Sequence, residues 1–166
     1  NPTLFAIAQV QINATANGKT FDHSSLYNVG ENISASSRSE TDEVFYNGWY
    51  ASEKKVYEYI TAKGWTIVDV NNDEAKYNEV MNAVGHSNIQ VGHYKNLIGL
   101  NSDVTGTAYV YSKTPAPDGY RCNVGQVFDY VSRSNYITDV NTMTIDEFEA
   151  QFNAYYNKLM NADSIL

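Results

Sequence analysis

Two runs with strand chemistry stand either side of a turn signal. Residues 104–112 read Val-Thr-Gly-Thr-Ala-Tyr-Val-Tyr-Ser, residues 124–131 read Val-Gly-Gln-Val-Phe-Asp-Tyr-Val, and Pro115-Ala-Pro117-Asp118-Gly119 lies between them. β-branched and aromatic side chains suit a pleated, half-buried surface, while proline and glycine turn the chain back on itself. An antiparallel pair is the expectation.

Asn1-Pro2 is an N-cap followed by proline at the first turn, with Leu4, Ile7, Ala8 and Val10 as a short apolar face and Gly18 as the stop. Residues 19–40, rich in Ser, Asn and Gly, read as an irregular loop. A helix is expected from Thr41 to Ala62, because Phe45, Trp49, Val56 and Ile60 recur at helical spacing, and Gly64 ends it. Trp-Thr-Ile-Val-Asp-Val at 65–70 reads as a short strand. Asp73 caps a further helix carrying Tyr77, Val80, Met81 and Val84, closed by Gly85. The last helix, about 144–162, has the capping box Thr144-Ile-Asp-Glu147 and a Met143/Phe148 staple, with Phe148, Phe152, Tyr155 and Leu159 as an expected buried stripe. Without repeats, heptads or a low-complexity linker, residues 1–166 are expected to form one domain.

Charge narrows the partners. The 166 residues carry a net charge of −8, and no Lys/Arg cluster exceeds Lys54-Lys55. Nucleic-acid affinity comes from neutralising phosphates with clustered cations, so nucleic acid is not expected as a partner, nor is an anionic membrane. Cationic partners and divalent metals suit this field better. Charged residues make up only 18% while tyrosine reaches 14, a neutral polar surface that points to a secreted or cell-surface setting. Cys122 is alone, so an internal disulfide is ruled out, which favours a bacterial extracellular origin over a disulfide-rich animal or plant domain. No signal peptide is visible, and no apolar run approaches the ~18 residues of a membrane span.

Glu53 is the most informative carboxylate. It lies four residues after Trp49 and three before Val56, on the apolar face of its own helix. An unpaired buried carboxylate costs several kcal/mol, so a partner is expected, in a structural ion pair or in a site. Glu58, flanked by Lys54 and Lys55, reads as solvated surface. His93 follows Gly92 and precedes Tyr94-Lys95-Asn96, and it suits either a structural donor or a ligand. His23 lies in the 19–40 loop, and His86 repeats the Gly-His pair as a decoy. Two histidines, His23 and His93, and two carboxylates, Glu31 and Glu53, would suit a divalent ion such as Zn²⁺, or acid–base chemistry near neutrality. The spacing matches no HExxH or CxxC pattern, and no GxSxG, P-loop or dinucleotide fingerprint occurs. Cys122 has no histidine near it in sequence and reads as structural.

His23, Gly30-Glu31-Asn32-Ile33, Trp49-Tyr50 with Glu53, Gly92-His93-Tyr94 and Thr105-Gly106-Thr107-Ala108 stand in an order that resembles the CAP superfamily (cysteine-rich secretory, antigen 5 and pathogenesis-related 1 proteins) in a disulfide-free bacterial form. The resemblance spans residues 1–131. It implies an α/β fold, a three-layer α-β-α sandwich with a small, mostly antiparallel central sheet. It also implies a cleft tetrad of His23, Glu31, Glu53 and His93, with His23 and His93 as the ligands of any metal. Two departures stand out. The family's glutamate follows its tryptophan by three residues, whereas Glu53 follows Trp49 by four. Lys95-Asn96 replaces the usual Thr-Gln.

Three functions follow as expectations. The first is a secreted binding module whose cleft takes a metal, a protein, a peptide or a small apolar ligand. The second is a hydrolase, peptidase-like, working through a metal-bound water or His/Glu acid–base chemistry. The third is an extracellular domain whose tetrad is purely structural.

Overall fold

The computed structural model describes residues 1–37, 43–100, 102–137 and 142–162. Its centre is an antiparallel sheet of three strands, β1 (Gly30–Ser36), β2 (Val104–Tyr111) and β3 (Cys122–Asp129), in the order β1-β3-β2. The expected pairing of the two later strands is present, with Val104 opposite Asp129 and Tyr111 opposite Cys122. β1 lies within the segment expected to be an irregular loop. Its sequence, Gly-Glu-Asn-Ile-Ser-Ala-Ser, lacks an apolar alternation, and pairing with β3 makes it a strand, Ile33 opposite Gly125.

One face of the sheet carries α1 (Pro2–Ala16), whose first turn is capped by the Asn1 side chain accepting from the Thr3 and Leu4 amides. Leu4, Ile7 and Ala8 pack with Val127. Val10 instead faces outward, and Gln11 and Ile12 take the buried positions. The layers touch backbone to backbone. A Cβ on Gly106 would lie 2.3 Å from the backbone of Leu4 and Phe5, so only glycine fits there. On the opposite face Cys122 and Val124 meet Trp49, Phe45 and Leu97. The molecule is therefore an α-β-α sandwich. Burial in this layer pushes the Cys122 thiol up from its ordinary pKa, which agrees with a structural role.

The second helical layer departs from expectation in two places. The helix foreseen from Thr41 splits into a π-helix (Glu43–Ser52) and α2 (Glu53–Ala62), while 41 and 42 lie outside the described residues. The single apolar face is divided accordingly. Phe45 and Trp49 pack on the sheet, whereas Val56 and Ile60 join a separate core. The segment expected as a strand at 65–70 is instead the start of α3 (Ile67–Asn71). Thr66 caps it by accepting from the Asp69 amide, and Asp69 accepts from the Thr66 amide in return, a bond that holds its carboxyl below the usual range. This reciprocal cap outweighs the β-branched run. Next comes α4 (Glu74–Val84), capped by Asp73 and ended by Gly85 at φ 80°, as its sequence predicts. Val70, Val80, Ile89 and Val91 complete the second core.

α5 (Gly92–Leu97) leads to β2, and a short 3₁₀ turn (Val131–Arg133) follows β3. α6 (Ile145–Ala162) begins at the foreseen capping box, in which Glu147 accepts from the Thr144 amide. Its apolar stripe is not buried. Phe148 stacks on Phe5 at 4.8 Å, but Phe152 and Tyr155 are 54% and 63% exposed, and the Leu159 side chain lies outside the described residues. Periodicity specifies which residues share a helix face and leaves open what covers it. Among the described residues, no helix is long and apolar enough to cross a membrane.

Candidate functional site

β1 organises the site because neighbouring residues of a strand point to opposite faces. Glu31, opposite Val127, faces α1; Asn32, opposite Gln126, faces α5. Each secures one histidine.

On the α1 side the Glu31 carboxylate meets His23 Nδ1 at 2.6 Å and accepts from Gln11 Nε2 at 3.0 Å. Gln11, buried on α1, accepts in turn from the Tyr27 amide and the Ser24 hydroxyl. Thr15 Oγ1 donates to the Asp22 carbonyl. The loop that carries His23 is thus tied to α1 on both sides of the histidine. His23 itself stays half-exposed, at 49% of its side chain.

On the other side the Asn32 amide donates to the His93 carbonyl and accepts from Asn96 Nδ2 at 2.7 Å, joining β1 to α5. His93 Nδ1 meets Glu53 at 2.5 Å, and Glu53 also accepts from the Tyr94 amide at 3.0 Å. Glu53 is 1% exposed, so its expected partner is His93. Trp49 closes the arrangement by stacking flat on the His93 ring, 5.3 Å between centroids and 13° between planes.

Trp49 lies in the π-helix and Glu53, four residues on, opens α2, and both address the same imidazole.

His23 and His93 both line an open cleft of about 790 Å³ that runs beside Ile33, Ser34, Ala35 and Ser36 of β1. Trp49, Ser52, Asn88, Gln90, Phe21, Asp22 and Tyr120 also line it. Glu31 sits behind His23 in a neighbouring depression of about 350 Å³ that also includes Gln11. All four expected residues are thus gathered about one cleft as two imidazole–carboxylate pairs. His86 is not among them. It lies in the turn after α4, with both ring nitrogens enclosed and unpartnered. Gln11, Asn32 and Asn96 were not foreseen as site residues. Gln11 carried a signal, a polar side chain at helical spacing from Leu4, Ile7 and Ala8.

A carboxylate on Nδ1 favours a hydrogen there, which leaves Nε2 as an acceptor in the neutral ring and a donor in the cation. The same carboxylate-backed arrangement orients metal-ligating histidines. Only two imidazoles are supplied, however, and no group of three or more His, Cys, Asp or Glu among the described residues is placed to hold a metal. A three-ligand catalytic centre does not fit, and an ion shared by His23 and His93 would take its other ligands from water. Neither ring has a Ser, Thr or Cys partner among the described residues, so no activated nucleophile is assembled. Ser52, the hydroxyl beside Glu53, donates to the Asn47 carbonyl. Comparison with protein-family models, with curated proteins and with solved structures gives no match.

Proposed function

We propose that this chain is a CAP-like extracellular binding module that takes its ligand in the cleft between His23 and His93. One observation carries the reading: two imidazoles, each fixed by its own carboxylate, open onto a single cleft beside an edge strand. Fixed donors and acceptors in a concave site are what recognition requires. The acidic chain disfavours nucleic acid as that ligand. Among the described residues neither ring has a hydroxyl or thiol partner, which favours binding over covalent hydrolysis.

A second reading is favoured by the carboxylate behind each imidazole. It is a loosely held divalent ion with acid–base hydrolysis of a peptide bond by bound water. Calorimetric titration of the chelator-treated protein with Zn²⁺, beside His93→Ala and His23→Ala, tests it. Binding by the parent that either substitution abolishes would support a shared ion. Turnover of a peptide mixture that His93→Ala abolishes would overturn the binding-module reading in favour of the enzyme.

A further inference from the structure

Among the described residues β1 is an edge strand, and its residues Ile33, Ser34, Ala35 and Ser36 line the cleft. Ladder parity identifies which backbone groups face outward. Ser112 N–H donates to the Arg121 carbonyl, so the odd-numbered residues of β3 face β2 and the even-numbered ones face β1. Gly30, Asn32, Ser34 and Ser36 therefore use their backbone groups on β3, and those of Ile33 and Ala35 point away from the sheet. Neither Ile33 nor Ala35 has a backbone partner on that side. The cleft lies beside both residues, with His23 and His93 near it. Unpaired strand groups are a template for another strand.

The lining gives the sign of the visitor. Asp22 lines the cleft, Glu31 and Glu53 stand behind the two imidazoles, and no Lys or Arg lines it among the described residues.

We infer that the cleft binds an extended peptide bearing Lys or Arg, which adds to β1 as a fourth strand through the backbone groups of Ile33 and Ala35. Main-chain bonds hold such a peptide, and its alternate side chains carry the selectivity. One side-chain row passes His23, and the other passes His93 and Trp49. The inference rests on the proposed binding role of the cleft and adds its ligand class and docking mode.

The test pans the intact protein against a displayed library of random nine-residue peptides and then characterises the selected sequences as synthetic peptides. The expected result is enrichment of Lys and Arg, slowed exchange of the Ile33 and Ala35 amide protons on binding, and at least a tenfold loss of affinity on Ala35→Pro. Proline there removes an outward N–H and leaves the ladder to β3 intact, a substitution edge strands accept. N-methylation of alternate peptide amides should reproduce that loss in the unaltered protein, so the inference stays testable if Ala35→Pro does not fold. No enrichment, or enrichment of acidic sequences, overturns it. Peptides that bind with unchanged Ile33 and Ala35 exchange, yet weaken with His93→Gln, overturn strand addition and leave the binding role of the cleft standing.

Discussion

The two imidazole–carboxylate pairs have the same chemistry and opposite settings. Glu53 lies inside the helical layer at 1% exposure, its histidine is 21% exposed, and Trp49 covers the ring. Glu31 is almost as enclosed at 6%, but its histidine is 49% exposed on a loop held by side-chain hydrogen bonds. One pair is a joint between helices, and the other is a tether. Enclosure determines how much each contributes to the fold, because removing one member of a buried pair strands the other without water. A ligand entering the cleft, as proposed, would thus meet one fixed imidazole and one whose support is mainly polar.

Substitutions can break this contrast, and the largest effect is expected from Glu53→Ala. It leaves the Tyr94 amide and the His93 ring without their acceptor in a packed region, so the loss should be about 3–5 kcal/mol in a urea denaturation. A loss no greater than that of Glu31→Ala would remove the distinction. Asn32→Ala should follow, at about 2–3 kcal/mol, since it releases the His93 carbonyl and the Asn96 amide together and leaves the Glu31 side intact. Its signature would be a moved His93 resonance beside an unmoved His23 resonance in an NMR spectrum. Glu31→Ala should cost about 1–2 kcal/mol, chiefly through the unpaired Gln11 amide, and should speed amide exchange in residues 22–28 before any change elsewhere. His23→Ala should cost less than about 1 kcal/mol, because its ring is half in water. A large loss there would make the exposed pair a structural joint as well.

How legible the fold was depended on whether local and tertiary signals agreed. α1, α4 and the start of α6 carry side-chain caps written in the sequence, and the paired strands β2 and β3 carry β-branched and aromatic residues around a proline turn. Each was foreseen. β1 was not, because four of its seven residues are Gly or Ser or Asn and its strand character comes from β3. At 65–70 propensity pointed to a strand and the Thr66–Asp69 cap to a helix, and the cap prevailed. For α6 the stripe was legible and its burial was not, since burial depends on what lies opposite.

The site shows the same division. His23, Glu31, Glu53 and His93 could be named from short motifs, and the fold brings them together in two pairs. Which carboxylate holds which histidine was not legible, because that follows from the pleat of β1 and the placing of α5. Gln11 and Asn32 were missed as supports for a related reason. A polar residue on an apolar stripe marks a buried hydrogen bond, but its partner comes from a distant part of the chain.

The widened helix before Glu53 bears on how such a chain can change over time. An extra residue in an ordinary helix rotates everything beyond it by about 100° and scrambles every contact downstream. A π segment can absorb such a residue in its wider turns, so that Val56 and Ile60 keep their core while Trp49 keeps its histidine. Deleting one residue between Trp49 and Glu53 should then tighten the helix there and leave both ends docked. In such a scaffold, the count of residues between two functional side chains is free to drift by one while their meeting point in space stays fixed.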